Sequence, residues 1–389
     1  MATVNWNVTV GATSFTSITQ SLSFSVGRGS YFDTWSGGTC TFTVRNNTGQ
    51  AANIAQGDLI TIGNDLSTVG LYFYVVEVTF QDEIAANANT ATITGRDAIG
   101  QILQFPISGE PGTYTNALDQ IAALMDQLAP FNPPYPDPSP VAGRAIVETT
   151  FGETTIGQRI VDLLLTENST YYFEGQTVVY LPSSAPDTVT WNFGPNDIAG
   201  SVIYDSLVRK YPNANYPNNV RLTSTTVGTT TGFVTGTYGR NYDRSVLLTD
   251  TTQQTDQTNY YANTLSDDSQ LYLDIRIVDS ANTSAKMTSV LNDLSVIVGM
   301  RVKVDYTPPG GGVTYAYQVV EGVKVNVVPG QTSLTFTMSP QTIYDLFTLD
   351  SSTFGILGGT MVYDTPITYN DAGETYNATA TDNGNRLGW

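Results

Sequence analysis

Residues 298–340 read VGMRVKVDYTPPGGGVTYAYQVVEGVKVNVVPGQTSLTFTMSP, and the fold turns on this stretch. Apolar and aromatic residues alternate through it: Val302 and Val304, then Val313, Tyr315, Tyr317 and Val319. Val323, Val325 and Val327 follow, and Leu334, Phe336 and Met338 close the series. Successive strand side chains point to opposite faces, so alternation of this length predicts strands with one buried face. Residues 308–312 and 329–330 separate the sets with prolines and glycines, which fix or free φ as turns require. An antiparallel meander of three or four strands results.

Residues 57–97, GDLITIGNDLSTVGLYFYVVEVTFQDEIAANANTATITGRD, repeat the pattern. Gly57, Ile60 and Ile62 stand as Gly299, Val302 and Val304 do. The long strand that follows carries Tyr74-Val75-Val76-Glu77 where the other carries Tyr317-Gln318-Val319-Val320-Glu321, with one residue inserted. Each copy closes on an alternating strand rich in Thr or Ser, 90–94 and 333–339. Such a repeat marks two copies of one structural unit, the alternative being two unrelated meanders.

At 389 residues the chain exceeds one ordinary core and predicts two or three domains. Only 13% of residues are charged, and the abundant Thr, Asn, Gly and Tyr favour strands and turns over helices. The net charge of −19 argues against a DNA reader, because affinity for phosphate rests on cationic neutralisation. Repulsion would still suit a protein past which DNA slides. Cys40 is the single cysteine and can form no intrachain disulfide, which fits assembly in a reducing cytoplasm. Residues 1–11 show no secretory leader and no apolar run approaches a membrane span, so the Asn-x-Ser/Thr sites read as background.

In chain order, residues 1–105 read as all-β, with alternation at Leu22, Phe24 and Val26 and at Cys40, Phe42 and Val44. Residues 71–80 are nearly all apolar and predict a strand buried on both sides. Residues 106–190 read as a small α+β domain. It has a helix over 116–129 behind an Asn116 cap, a proline-rich connector at 130–140, a helix over 154–167, and a hairpin of 171–174 with 177–181. Residues 191–350 return to β texture, with strands at 220–224, 232–238, 245–248 and 271–278 and a helix over 255–266. Residues 351–389 form a C-terminal arm whose polar end, 368–389, is either flexible or ordered on a neighbour. The expected fold is mainly β with a smaller α+β part.

No catalytic, cofactor or metal residues emerge. The absence of histidine removes Ser-His-Asp and Cys-His arrangements and disfavours a zinc hydrolase. Gly310, Gly311 and Gly312 follow two prolines and precede a strand, which is a hairpin turn and not a phosphate cradle. Cys40 lies in an alternating strand and reads as a small core residue. Asp267 with Asp268, or Glu148 with Glu153, lack the spacing of a glycan-hydrolysing pair. Residues 250–256 and 371–382 are rich in oxygen ligands but match no calcium loop, and read as solvated loops. Tyrosines cluster at Tyr171-Tyr172, Tyr260-Tyr261 and Tyr315 with Tyr317; core packing is the expected use, a carbohydrate platform or protein interface the alternative.

Residues 21–62 carry Gly27, Arg28, Asp33, Gly37 or Gly38, Val44 and Asn46 at spacings that resemble the N-terminus of minor tail proteins of tailed bacteriophages. Asp97 and Ala98 look like that family's next element, where an alternating strand enters a short helix. Residues 298–340 and the segment SSTFGILGGTMVYDTP (351–366) are similar to its C-terminal portion, while the asparagine-rich 46–56 departs from it.

The resemblance implies a tail hub (baseplate hub) protein: a homotrimer whose subunits each hold two related β-barrel-like tube domains plus an inserted α+β domain. It would join the six-fold tail tube, or a distal tail protein, to the three-fold tip, spike or fibre proteins. Phage DNA would pass through its lumen without specific binding, with part of the negative charge lining the channel. The site would be the virion tail tip or baseplate, assembled in the host cytoplasm. A receptor- or glycan-binding tail protein is the alternative, and a peptidoglycan-degrading tail enzyme using paired carboxylates is the third reading.

Overall fold

A computed structural model describes residues 3–29, 33–68, 70–82, 89–103, 105–107, 114–127, 147, 155–174, 177–181, 189–196, 200–210, 219–233, 241–266, 271–341, 367–368 and 375–376. Met1–Gly355 forms one compact unit and Ile356–Trp389 a second. The architecture is mainly β.

The first repeat contains β1 (Trp6–Val10), β2 (Thr13–Ser14), β3 (Thr19–Gly27), β4 (Thr39–Arg45), β5 (Leu59–Asn64), β6 (Leu71–Gln81) and β7 (Thr90–Arg96). Helical segments follow: α1 (Ala98–Ile102), α2 (Ala117–Asp126) and α3 (Ile156–Glu167). Next come the hairpin β8 (Thr170–Glu174) and β9 (Thr177–Leu181), then β10 (Trp191–Gly194), β11 (Val202–Ile203) and β12 (Ser206–Lys210). An insertion holds β13 (Asn219–Ser224), β14 (Gly228–Phe233), β15 (Asn241–Ser245) and α4 (Thr251–Ser266). The second repeat resumes with β16 (Tyr272–Val278), α5 (Ser284–Asn292), β17 (Arg301–Tyr306), β18 (Thr314–Val328) and β19 (Gln331–Pro340). In the second unit β20 (Ile367–Thr368) pairs with β21 (Thr375–Tyr376).

Fourteen strands make one continuous sheet. The first repeat runs β3-β4-β7-β6-β5-β1-β2, and the second runs β12-β16-β19-β18-β17-β10-β11. In each, the two end strands are successive in the chain, so the sheet curls back on itself. Among the described residues no ladder closes β2 on β3 or β11 on β12. The alternating residues of β3 and β4 behave as their pattern demands: Leu22, Phe24, Cys40, Phe42 and Val44 are buried, and Thr39 and Thr41 face out.

The duplication is visible residue by residue. Gly57 N donates to Val75 O and Val75 N to Asp58 O; Gly299 N donates to Val320 O and Val320 N to Met300 O. Both glycines have positive φ, 88° and 89°, which L side chains rarely adopt. Both long strands bulge immediately afterwards, between Val75 and Glu77 and between Val320 and Gly322. Val76 therefore matches Glu321, and Glu77 matches Gly322. Aligning the two glutamates, as the sequence reading does, is wrong by one residue, and no insertion is needed around the bulge.

Four other expectations are corrected. In β6 only Leu71, Phe73, Tyr74 and Val75 are buried; beyond the bulge Phe80 is 46% exposed, because β6 has β7 alone as its described partner there. Val313 and Tyr315, read as part of a buried set, are exposed, since the Glu321 bulge reverses which face of β18 packs inward. The helix over 255–266 starts at Thr251, with Asp250 accepting from Gln253 N at 2.8 Å, so 250–256 is a helix start and not a solvated loop. Of the strand expected at 232–238, residues 234–238 lie outside the described residues and 232–233 end β14; the strand expected at 245–248 lies earlier, as β15.

Asn116 caps α2 as expected, accepting from Leu118 N and Asp119 N. The three-stranded sheet β14-β13-β15 carries α4, which reaches α3: Gln257 Nε2 donates to Thr166 O at 3.0 Å and the Tyr261 hydroxyl to Asn168 Oδ1. Residues 130–140, 148, 153, 267, 268 and 351–366, and all of 371–382 but β21, lie outside the described residues.

Candidate functional site

The two repeats meet where β18 outgrows its own unit. Its first part, Thr314 to Val319, pairs with β17; after the bulge, Gly322 to Val327 pairs with β3 of the other repeat. Close approach there demands glycine. Gly27 has φ +89°, and a Cβ on it would lie 2.2 Å from Glu321 O; a Cβ on Gly322 would lie 2.5 Å from Arg28 O.

The bulge turns the Glu321 side chain inward, where it is 0% exposed. Arg28 meets it, with Nε 2.8 Å from Oε2, while Arg28 N donates to Glu321 O at 2.9 Å. A carboxylate so desolvated is tolerable only beside a cation. The guanidinium also lies 4.7 Å from the Trp35 ring centre, and Trp35 packs at 4.7 Å against Tyr171 of β8.

Tyr171 carries the contacts on to Asp97, donating to Oδ2 at 3.4 Å. Asp97 caps α1, its Oδ1 accepting from Gly100 N at 2.7 Å and its Oδ2 from Gly38 N. Burial pushes the Asp97 carboxyl from 3.8 up to about 6, against the lowering effect of its hydrogen bonds from Gly100, Gly38 and Tyr171. Burial, and then the Asp97 charge, raise Tyr171 and Tyr180 in turn. Gly37 and Gly38 leave no room for side chains beside Gly100 and Asp97.

The residues of the sequence motif thus converge on a joint. Gly27 and Arg28 cross it, and Gly37, Gly38, Asp97 and Ala98 brace the helix beside it. Val44 fills the core behind, and Asn46 accepts from Ala51 N at 3.0 Å to shape the next turn. Asp33 is exposed at the rim of a cleft of about 420 Å³ over the joint, which Ser25, Thr34, Lys324 and Thr337 also line. Sequence reasoning missed Trp35, and it placed Tyr171 in the core without naming its partners. Glu321 had one signal, an acid at a buried step of an apolar strand.

The remaining candidates stand apart from any chemistry. Cys40 is buried and its thiol is pushed up to about 12 by burial, so it is a core residue. Tyr171, Tyr260 and Tyr261 are buried; Tyr315 is 54% exposed, with Lys303 4.8 Å from its ring and Arg301 4.5 Å from Tyr317. The arrangement joins the two repeats, and its carboxylates Asp97 and Glu321 are buried in that joint.

No family model matches the chain, and no curated protein matches it. Solved structures do. The tail protein from Neisseria meningitidis MC58 is 12% identical, with TM-score 0.62, over 88% of this chain and 98% of that one. The 43 kDa tail protein of prophage MuSo2 from Shewanella oneidensis is 11% identical, with TM-score 0.55, over 88% and 98%. What is shared at such identities is the fold.

Proposed function

We propose that this chain, with the fold of prophage tail proteins, is a structural component of a tail: the hub adaptor between the six-fold tube and the three-fold tip. The observation that carries the reading is the duplicated meander, with its matched glycines at 57 and 299 and matched bulges. Three copies of a chain holding two like units present six quasi-equivalent units to a tube and three-fold symmetry below. Each repeat is one barrel-like tube domain, an assignment supported by end strands that are successive in the chain. The first spans 1–105 and the second 191–350, with an α+β domain at 106–190 between them and an arm at 351–389.

The protein is a homotrimer of the virion tail tip or baseplate, assembled in the host cytoplasm. It contacts tube or distal tail protein on one face and tip, spike or fibre proteins on the other. DNA passes through its lumen during ejection. It is not an enzyme: the buried Asp97 and Glu321 bind backbone and guanidinium groups, which is a structural use of carboxylates. The test is the mass of the purified chain, alone and mixed with its tail-tube neighbour. A trimer, alone or on the tube, is the expected result. A monomer indifferent to tail components yet retained on host cells would overturn the reading in favour of a receptor binder.

A further inference from the structure

The internal joint has an unfilled counterpart. Matching Val75 with Val320 sets Phe80 of β6 against Val325 of β18. Val325 is 0% exposed, because Phe24 of β3 lies opposite it. Phe80 is 46% exposed, and among the described residues no strand lies on that side of β6 beyond Tyr74.

The strand that would fill the edge is also present in duplicate. Phe42 of β4, paired with Ile93, matches Ile275 of β16, paired with Phe336. Their neighbours across the next ladder then match as well, so Leu22 of β3 corresponds to Leu207 of β12. β3 has ladders on both sides, to β4 and to β18. Among the described residues β12 has one, to β16, and on it Val208 is 50% exposed. A short edge strand with an exposed apolar side chain is a template for pairing.

We infer that β12 of one copy adds antiparallel to the 77–81 edge of β6 in a second copy, repeating between chains the β3–β18 joint within each chain. Carrying over the internal register places Leu207 opposite Asp82, Arg209 opposite Phe80 and Lys210 opposite Thr79. The charges agree: β12 brings Arg209 and Lys210, and the β6 edge is flanked by Glu77 and Asp82. In the sheet order β12 and β6 stand seven strands apart. The contact is heterologous, and three such contacts alternate with three internal joints around a closed ring. This surface rests on the trimer reading above.

Paired Phe80→Cys and Arg209→Cys substitutions test it, since opposed residues of antiparallel strands lie within disulfide reach. Buried Cys40 stays out of the reaction. Oxidation of the double variant is expected to give covalent trimers, and a mixture of the two single variants to give covalent dimers. A charge reversal, Arg209→Glu with Lys210→Glu, is expected to weaken association about tenfold or more, and Glu77→Lys with Asp82→Lys to restore it. A trimer that neither cross-links nor responds to charge reversal would overturn this edge and leave the hub standing. A wild-type chain that never trimerises, even on the tube, would overturn both.

Discussion

Arg28 and Glu321 are side chains from different repeats that are costly to separate. Both are almost wholly buried, so removing one takes this ion pair from the other in a place water does not reach. Arg28→Met is expected to cost about 3–5 kcal/mol in urea unfolding, and Arg28→Met with Glu321→Leu to recover most of it. A double variant no more stable than the single would show that the pair does more than satisfy itself. Asp97 makes the second residue-scale prediction. Its carboxyl rises from 3.8 to about 6 on folding, so its contribution to stability is full below 3.8 and lost as pH climbs through 6. A shift of that size is worth about 3 kcal/mol. Asp97→Asn keeps one acceptor and cannot ionise. Between pH 4 and 7 the wild type should therefore lose stability relative to the variant; a constant difference would refute the assignment.

At the scale of elements, Gly57 and Gly27 share a left-handed φ but differ in what surrounds them. Gly57 has φ +88° and open space around a would-be Cβ, so Gly57→Ala carries only the left-handed penalty, about 1–2 kcal/mol. Gly27 has φ +89° and a backbone oxygen 2.2 Å from the same position, so Gly27→Ala must push β3 off β18. Thermal melts should show the second loss to be several-fold larger; equal losses would mean that the joint yields. The strands themselves were legible from alternation, because a half-buried strand must alternate. The glycine-linked repeat was legible too, although its register was misread by one residue. A bulge adds a residue without leaving a mark in composition, and only the ladder hydrogen bonds reveal where it falls.

For the whole molecule, a net charge of −19 must be placed somewhere. A lumen that passes DNA is expected to carry part of it, and a map of the assembled tail with a neutral or basic wall would reject that expectation. By itself the sequence determined the β-rich class, the duplication, the lack of histidine chemistry and the resemblance to tail proteins, all of which follow from local spacing and residue type. Only the tertiary structure decided that Arg28 faces Glu321, that Trp35 and Tyr171 link this pair to Asp97, and that the two repeats share one sheet. The Arg28–Glu321 contact alone joins residues 293 positions apart, and periodicity along a strand does not specify which distant strand lies beside it.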